Sequence, residues 1–176
     1  MNSAESFTVV RKVQFTFALV LLMGISACKP AEPESYAVGI TGYNFTAEGV
    51  QDFYVDDQWG SNLPSYGGGG KTSCCVVLPK IWRPGLVVKI DWTMGKWTTP
   101  YATRKHLSVT EQITCCSSER TLSKTVPVEP YGPRGGNLQV FFLPNDEVKV
   151  WVSTYDLGHE NHPSGMKYPK DPDSKE

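Results

Sequence analysis

Gly67, Gly68, Gly69 and Gly70, followed by Lys71 and Thr72, have the look of a phosphate-binding loop. Such a loop needs a glycine five residues before the one in Gly-Lys-Thr, and a helix behind it whose N-terminus faces the phosphates. Position 65 is serine, and Ser73-Cys74-Cys75-Val76-Val77-Leu78 reads as a strand. The run therefore predicts a flexible loop rather than a nucleotide site, with bare backbone that lets another chain approach closely. His159 and His162 could share a metal on a helix face, but Gly158 and Pro163 flank them and predict solvated loop histidines. His106, in the basic run Arg104-Lys105-His106, reads as a surface group. Asp56 and Asp57 are adjacent; neighbours on a strand point to opposite faces, which is poor geometry for an acid/base pair. There is no Gly-x-Ser-x-Gly elbow. The expectation is no catalytic residue, no cofactor and no resident metal, hence a protein that is not an enzyme.

Cys28 carries a different chemistry. Arg11 and Lys12 precede a mostly apolar run, 13–23, and Ile25-Ser26-Ala27-Cys28 then resembles a bacterial lipobox. The apolar run is about half the length needed to span a bilayer as a helix. The pattern implies a lipoprotein signal peptide over 1–27, diacylglycerol on the Cys28 sulfur, and a tether over 28–35. At about 0.8 kcal/mol per buried CH₂, two or three acyl chains hold a protein on a membrane essentially permanently. Lys29 stands where aspartate retains enteric lipoproteins in the inner membrane. The expected location is the outer membrane, lipid-anchored and facing the periplasm.

In that oxidising compartment the remaining cysteines, Cys74, Cys75, Cys115 and Cys116, are expected to form disulfides. Neither pair has Cys-x-x-Cys spacing. Links between the pairs are favoured, because successive strand side chains face opposite ways. The first such bridge would close a loop of about 40 residues and contribute roughly 4 kcal/mol. Vicinal bridges within each pair are the remaining connectivity, and a redox or copper-binding thiol cluster is the functional alternative.

The elements that would position these residues are strands. Leu86, Val88, Ile90 and Trp92 alternate with Val87, Lys89 and Asp91. Leu138, Val140 and Phe142 share a face, as do Val148, Val150 and Val152, and Leu143-Pro144-Asn145-Asp146 lies between them as a turn. Keeping like faces opposite predicts a hairpin pairing Phe142 with Val148 and Val140 with Val150, around a three-residue loop at Pro144, Asn145 and Asp146. Phe141 then faces Lys149, and Gln139 faces Trp151, on the outer side. Further strands are predicted over 36–43, 50–55, 73–78, 107–114 and 121–128. Seven or eight short strands with turn signals argue an all-β fold, an antiparallel β-sandwich or open barrel, over 36–157. A polar C-terminal tail, 158–176, is expected to follow. The net charge of −1 leaves no basic excess for nucleic acid.

Gly67–Gly70, Ser73-Cys74-Cys75-Val76, Leu78-Pro79, Trp82-Arg83-Pro84-Gly85 and Val140-Phe141-Phe142-Leu143-Pro144-Asn145-Asp146-Glu147-Val148 together resemble a family of proteobacterial lipoproteins classed only as a domain of unknown function. The resemblance spans roughly 36–152, and Cys115-Cys116 has no clear place in its pattern. Genes of that family often lie in type VI secretion clusters. The resemblance therefore implies an immunity protein that binds and neutralises a type VI effector attacking the envelope, such as a lipase. The alternatives are an accessory envelope lipoprotein of a secretion locus, or a small periplasmic hydrolase. For the partner-binding face the sequence offers Gly67, Gly68, Gly69, Gly70, Trp82, Arg83, Phe141 and Trp151, since Trp and Arg are enriched in binding hot spots.

Overall fold

A computed structural model describes residues 34–174. Eight strands follow in chain order: β1 (Ser35–Asn44), β2 (Gly49–Val55), β3 (Gln58–Trp59), β4 (Ser73–Pro79), β5 (Val87–Trp97), β6 (Ser117–Pro127), β7 (Asn137–Phe142) and β8 (Val148–Ser153). Two short helices, α1 (Tyr101–Arg104) and α2 (Val109–Cys116), lie between β5 and β6. The strands form two four-stranded sheets, ordered β4-β1-β7-β8 and β3-β2-β5-β6. Their apolar faces meet in one core, where Phe142 of the first sheet lies against Phe53 and Trp92 of the second. The fold is the expected disulfide-bearing β-sandwich. One pair departs from the antiparallel rule: β1 runs parallel to β7.

The predicted hairpin register is the one observed. Phe142 pairs with Val148, Val140 with Val150, Phe141 with Lys149 and Gln139 with Trp151. The Leu143 N–H donates to the Glu147 carbonyl at 2.8 Å and closes the three-residue loop. Asn145 (φ 61°) and Asp146 (φ 58°) occupy the left-handed region that their side chains tolerate. The Asp56-Asp57 pair is likewise a turn, with φ of 45° and 65°, joining β2 to β3.

The strand predicted over 107–114 is instead helical. Ser108 accepts from the Glu111 N–H at 3.3 Å, while the Glu111 carboxylate accepts from the Ser108 N–H at 2.8 Å. This capping box satisfies two amides that a helix start leaves unpaired. It outweighs the β-branched Val109, Thr110, Ile113 and Thr114.

The favoured links between the cysteine pairs are also overturned: Cys74 bonds Cys75, and Cys115 bonds Cys116. Topology gives the reason. Ser73 bonds the Trp59 carbonyl, Trp59 pairs with Tyr54, and Tyr54 with Asp91 on β5. Ser117, next to Cys116, pairs with Trp97 on that same strand. Asp91 and Trp97 lie about 20 Å apart along β5, far beyond the ~7 Å Cα limit for a disulfide.

Candidate functional site

The glycine run docks against the edge of the sheet: Gly68 bridges Tyr43, Gly67 to Gly69 are half-buried, and Gly70 is exposed. β4 pairs with β1 as far as Ile40, and the glycines take over beside the rest of β1. The Asn44 N–H donates to the Gly67 carbonyl at 2.7 Å and the Gly69 N–H to the Gly42 carbonyl at 2.8 Å. Gly68 (φ 139°) and Gly69 (φ 73°) need glycine, because a Cβ would strike the Gly42 carbonyl in one case and the Tyr43 ring in the other. The chain that approaches bare backbone is the protein's own β1. The Tyr168 hydroxyl also bonds the Gly68 carbonyl.

Phe141 and Trp151 do lie on the outer side of their sheet, but that side is covered. Phe141 is 0% exposed and Trp151 is half-buried, beneath Leu157 and Met166 of the C-terminal segment. Phe141 therefore offers no surface to a partner. His162 belongs to this covering layer and is buried rather than solvated. It stacks on Phe141 and sits 2.9 Å from the Gln139 Oε1. The Ser164 N–H donates to its Nδ1, so Nε2 carries the proton and donates to Gln139. Burial lowers the His162 pKa, with Asp156 opposing. His159 remains exposed, stacked on Tyr155. Trp82 is half-buried and donates its indole N–H to the Val128 carbonyl at 2.8 Å, and Arg83 is exposed beside it.

An exposed face also lies where the sequence pointed to none, on the end of β5 and the 98–116 excursion between β5 and β6. Tyr101 (65% exposed), Val109 (71%), Ile113 (50%) and Trp97 (48%) gather there. The Arg104 guanidinium lies 3.7 Å over the Trp97 ring and 5.2 Å from that of Tyr101. Its Nε donates to the Thr99 carbonyl at 3.2 Å and its Nη1 to the Gln112 Oε1 at 2.6 Å. Gln112 is held in turn by the Leu107 carbonyl. A cleft of about 260 Å³ runs between α2 and the sheet, its lining including Gln51, Lys96, Trp97, Val109, Ile113 and Glu119. Two sequence signals could have found this face: the capping box Ser108-x-x-Glu111, and Trp97, Tyr101 and Arg104 at near-helical spacing.

The charges around this face divide into spent and unspent. Glu111 is spent on the helix cap, which holds its carboxyl below the usual range. Glu48 bridges Lys96 (2.9 Å) and Arg120 (3.0 Å), and these contacts keep its carboxyl low as well. Arg120 also grips Asp146, which lowers that carboxyl and raises the guanidinium. No carboxylate of the described residues pairs with Arg104. Among the described residues, no His/Cys/Asp/Glu cluster suited to a metal is present, and no helix is long and apolar enough to cross a membrane. Cys28 lies outside the described residues.

Residues 43–150 match the family described as "Protein of unknown function (DUF3304)", and the chain belongs to that family. Comparison with curated proteins gave no match, nor did comparison with solved structures.

Proposed function

We propose that this DUF3304 member is a lipid-anchored protein of the outer membrane, facing the periplasm. On this reading it is a type VI secretion immunity protein that binds and neutralises an envelope-attacking effector such as a lipase. The Ile25-Ser26-Ala27-Cys28 pattern supports the anchor, and the family resemblance supports the secretion context. The observation that carries binding over catalysis is the exposed set Trp97, Tyr101, Val109 and Ile113 with Arg104 stacked among them. Aromatic and arginine side chains dominate binding energy at protein interfaces, and the two sheets supply a rigid platform behind them.

A survival assay tests this. The effector encoded beside the protein is directed to the periplasm of a test strain, with and without the full-length chain. Survival only with the chain is the expected result. Death in both cases, with the lipidated protein confirmed present, would overturn the immunity reading. If deletion then lowered secretion without sensitising the cell to siblings, the accessory role would take its place.

A further inference from the structure

The domain has two distinct poles. The chain enters at Ser35, which pairs with Pro79, and the Lys80 N–H donates to the Glu34 carbonyl. Around that pole stand Trp82, bonded to Val128, and Val87, paired with Pro127. At the other pole lie the 144–146 turn, Glu48 and Arg120, joined by ion pairs, and beyond them Trp97 and the 98–116 excursion. β5 runs from one pole at Val87 to the other at Trp97, about 33 Å at ~3.3 Å per residue. Trp82 and Arg83 thus lie at the end joined to the segment that leads back to Cys28, and the excursion lies at the far end.

At the far pole Arg104 is a guanidinium already oriented for a ligand. Two of its five N–H groups are committed, to Thr99 and Gln112, and Trp97 fixes its plane. Three N–H groups remain, with a charge that no described carboxylate compensates. Lys105 and His106 follow it, while the excursion's acid, Glu111, is turned into its own helix cap. The neighbouring cleft sets apolar walls, Trp97, Val109 and Ile113, beside the charged Lys96 and Glu119, with Lys96 already paired to Glu48.

We propose that this pole binds a protein segment in which an aspartate or glutamate stands beside a large apolar side chain. Arg104 receives the carboxylate through its free fork, and the apolar side chain enters the cleft between α2 and the sheet. A fixed planar fork matches a carboxylate in two-point contact, and stacking on an aromatic ring leaves less side-chain freedom to lose. The identity of the natural partner as a type VI effector rests on the immunity reading; the surface chemistry does not.

The test uses the full-length chain in detergent and a displayed library of random 12-residue peptides. Wild type is expected to enrich peptides pairing Asp or Glu with Leu, Phe or Trp. Arg104→Gln should lose that enrichment by at least roughly tenfold, Trp97→Ala should weaken it, and Val77→Ala, at an exposed position of β4, should leave it unchanged. Arg104→Lys keeps the charge without the fork and should recover only part. Enrichment unchanged in Arg104→Gln, or without carboxylate preference, would overturn the proposal. Membrane as the occupant is tested in phosphatidylglycerol vesicles with brominated acyl chains. Trp97 emission, taken by difference from Trp97→Phe, should stay unquenched, and quenching would overturn the proposal. In the survival assay, protection by wild type that persists in Arg104→Glu would overturn this surface and spare the immunity reading. Absent protection by wild type, with carboxylate-dependent peptide binding intact, would do the reverse.

Discussion

Arg120 on β6 grips Asp146 in the β7–β8 turn with both arms of its guanidinium, Nη1 to Oδ2 at 2.8 Å and Nη2 to Oδ1 at 2.7 Å. β6 and the β7–β8 hairpin belong to different sheets, so the pair fastens one edge of the sandwich at the far pole. Glu48, in the β1–β2 connection, takes the other side of Arg120 at 3.0 Å, and the Lys124 ammonium donates to the Asp146 carbonyl. The network supports the base from which the 98–116 excursion projects.

Arg120→Ala is expected to destabilise the domain by about 1 kcal/mol, since the groups are partly exposed and screened by solvent. That corresponds to a fall of roughly 2–4 °C in Tm. The carboxyls of Glu48 and Asp146 are held below their ordinary values, chiefly by hydrogen bonds from Lys96 and Arg120 respectively. Their contribution is present above the ordinary carboxylate pKa of about 4 and is lost as pH falls through the lowered values. Urea unfolding of wild type and variant should therefore differ at pH 7, and the gap should be smaller at pH 3. An equal gap at both pH values would show that the pair adds no charge-dependent stability.

His162 predicts a pH dependence of its own, in a higher range. It is buried neutral, so its pKa in the fold lies below the ordinary value near 6.5. The unfolded chain then binds the proton more readily. Stability is full above about pH 6.5 and declines as pH falls toward the lowered value. His162→Gln removes the titrating group, and it should cost stability at pH 8 while flattening the profile between pH 7 and 5. Hydrogen exchange at the Leu157 amide, which is bonded to the Tyr43 hydroxyl, should follow the same profile if the C-terminal layer is what loosens.

The sandwich was legible in the sequence wherever period-two alternation met a clear turn, as in the hairpin around Pro144–Asp146. The parity of Phe142 and Val148 fixed its register without reference to the rest of the fold. The excursion was misread, because Val109, Thr110, Ile113 and Thr114 favour strands by propensity and outweighed the Ser108-x-x-Glu111 cap that decides for helix. Phe141 and Trp151 were rightly placed on the outer side of their sheet. Alternation cannot say what lies over an outer face, and the covering segment is mostly polar, with Leu157 and Met166 as its apolar contacts. The cysteine pairing failed for a related reason. Spacing gives loop lengths, but only the topology separates β4 from the end of α2.

The glycine run makes a prediction that depends on position within four identical residues. Gly68→Ala and Gly69→Ala combine a positive φ with a Cβ driven into β1 or the Tyr43 ring, and each should cost more than about 2 kcal/mol. Gly70→Ala meets nothing within 4 Å at an ordinary φ and should stay within about 0.5 kcal/mol of wild type. Chemical denaturation of the three variants measures this directly. Equal tolerance at all three positions would mean that the run is not docked on β1.

The vicinal pairing of the cysteines has consequences that separate it sharply from cross-links. A bridge between neighbours closes only an eight-membered ring, so reducing it restores little chain entropy to the unfolded state. A link from Cys74 or Cys75 to Cys115 or Cys116 would close about 40 residues and contribute roughly 4 kcal/mol. Reduction of the folded protein should thus shift its unfolding free energy by less than about 1 kcal/mol. Mass mapping gives a second, independent reading. Cleavage after Lys89 and Lys96 cuts the chain between the two pairs. Each pair should then appear in its own peptide, two hydrogens lighter than its reduced form. A single peptide joining both regions, together with a large loss of stability on reduction, would require β4 and the end of α2 to lie together, which the two-sheet arrangement does not allow.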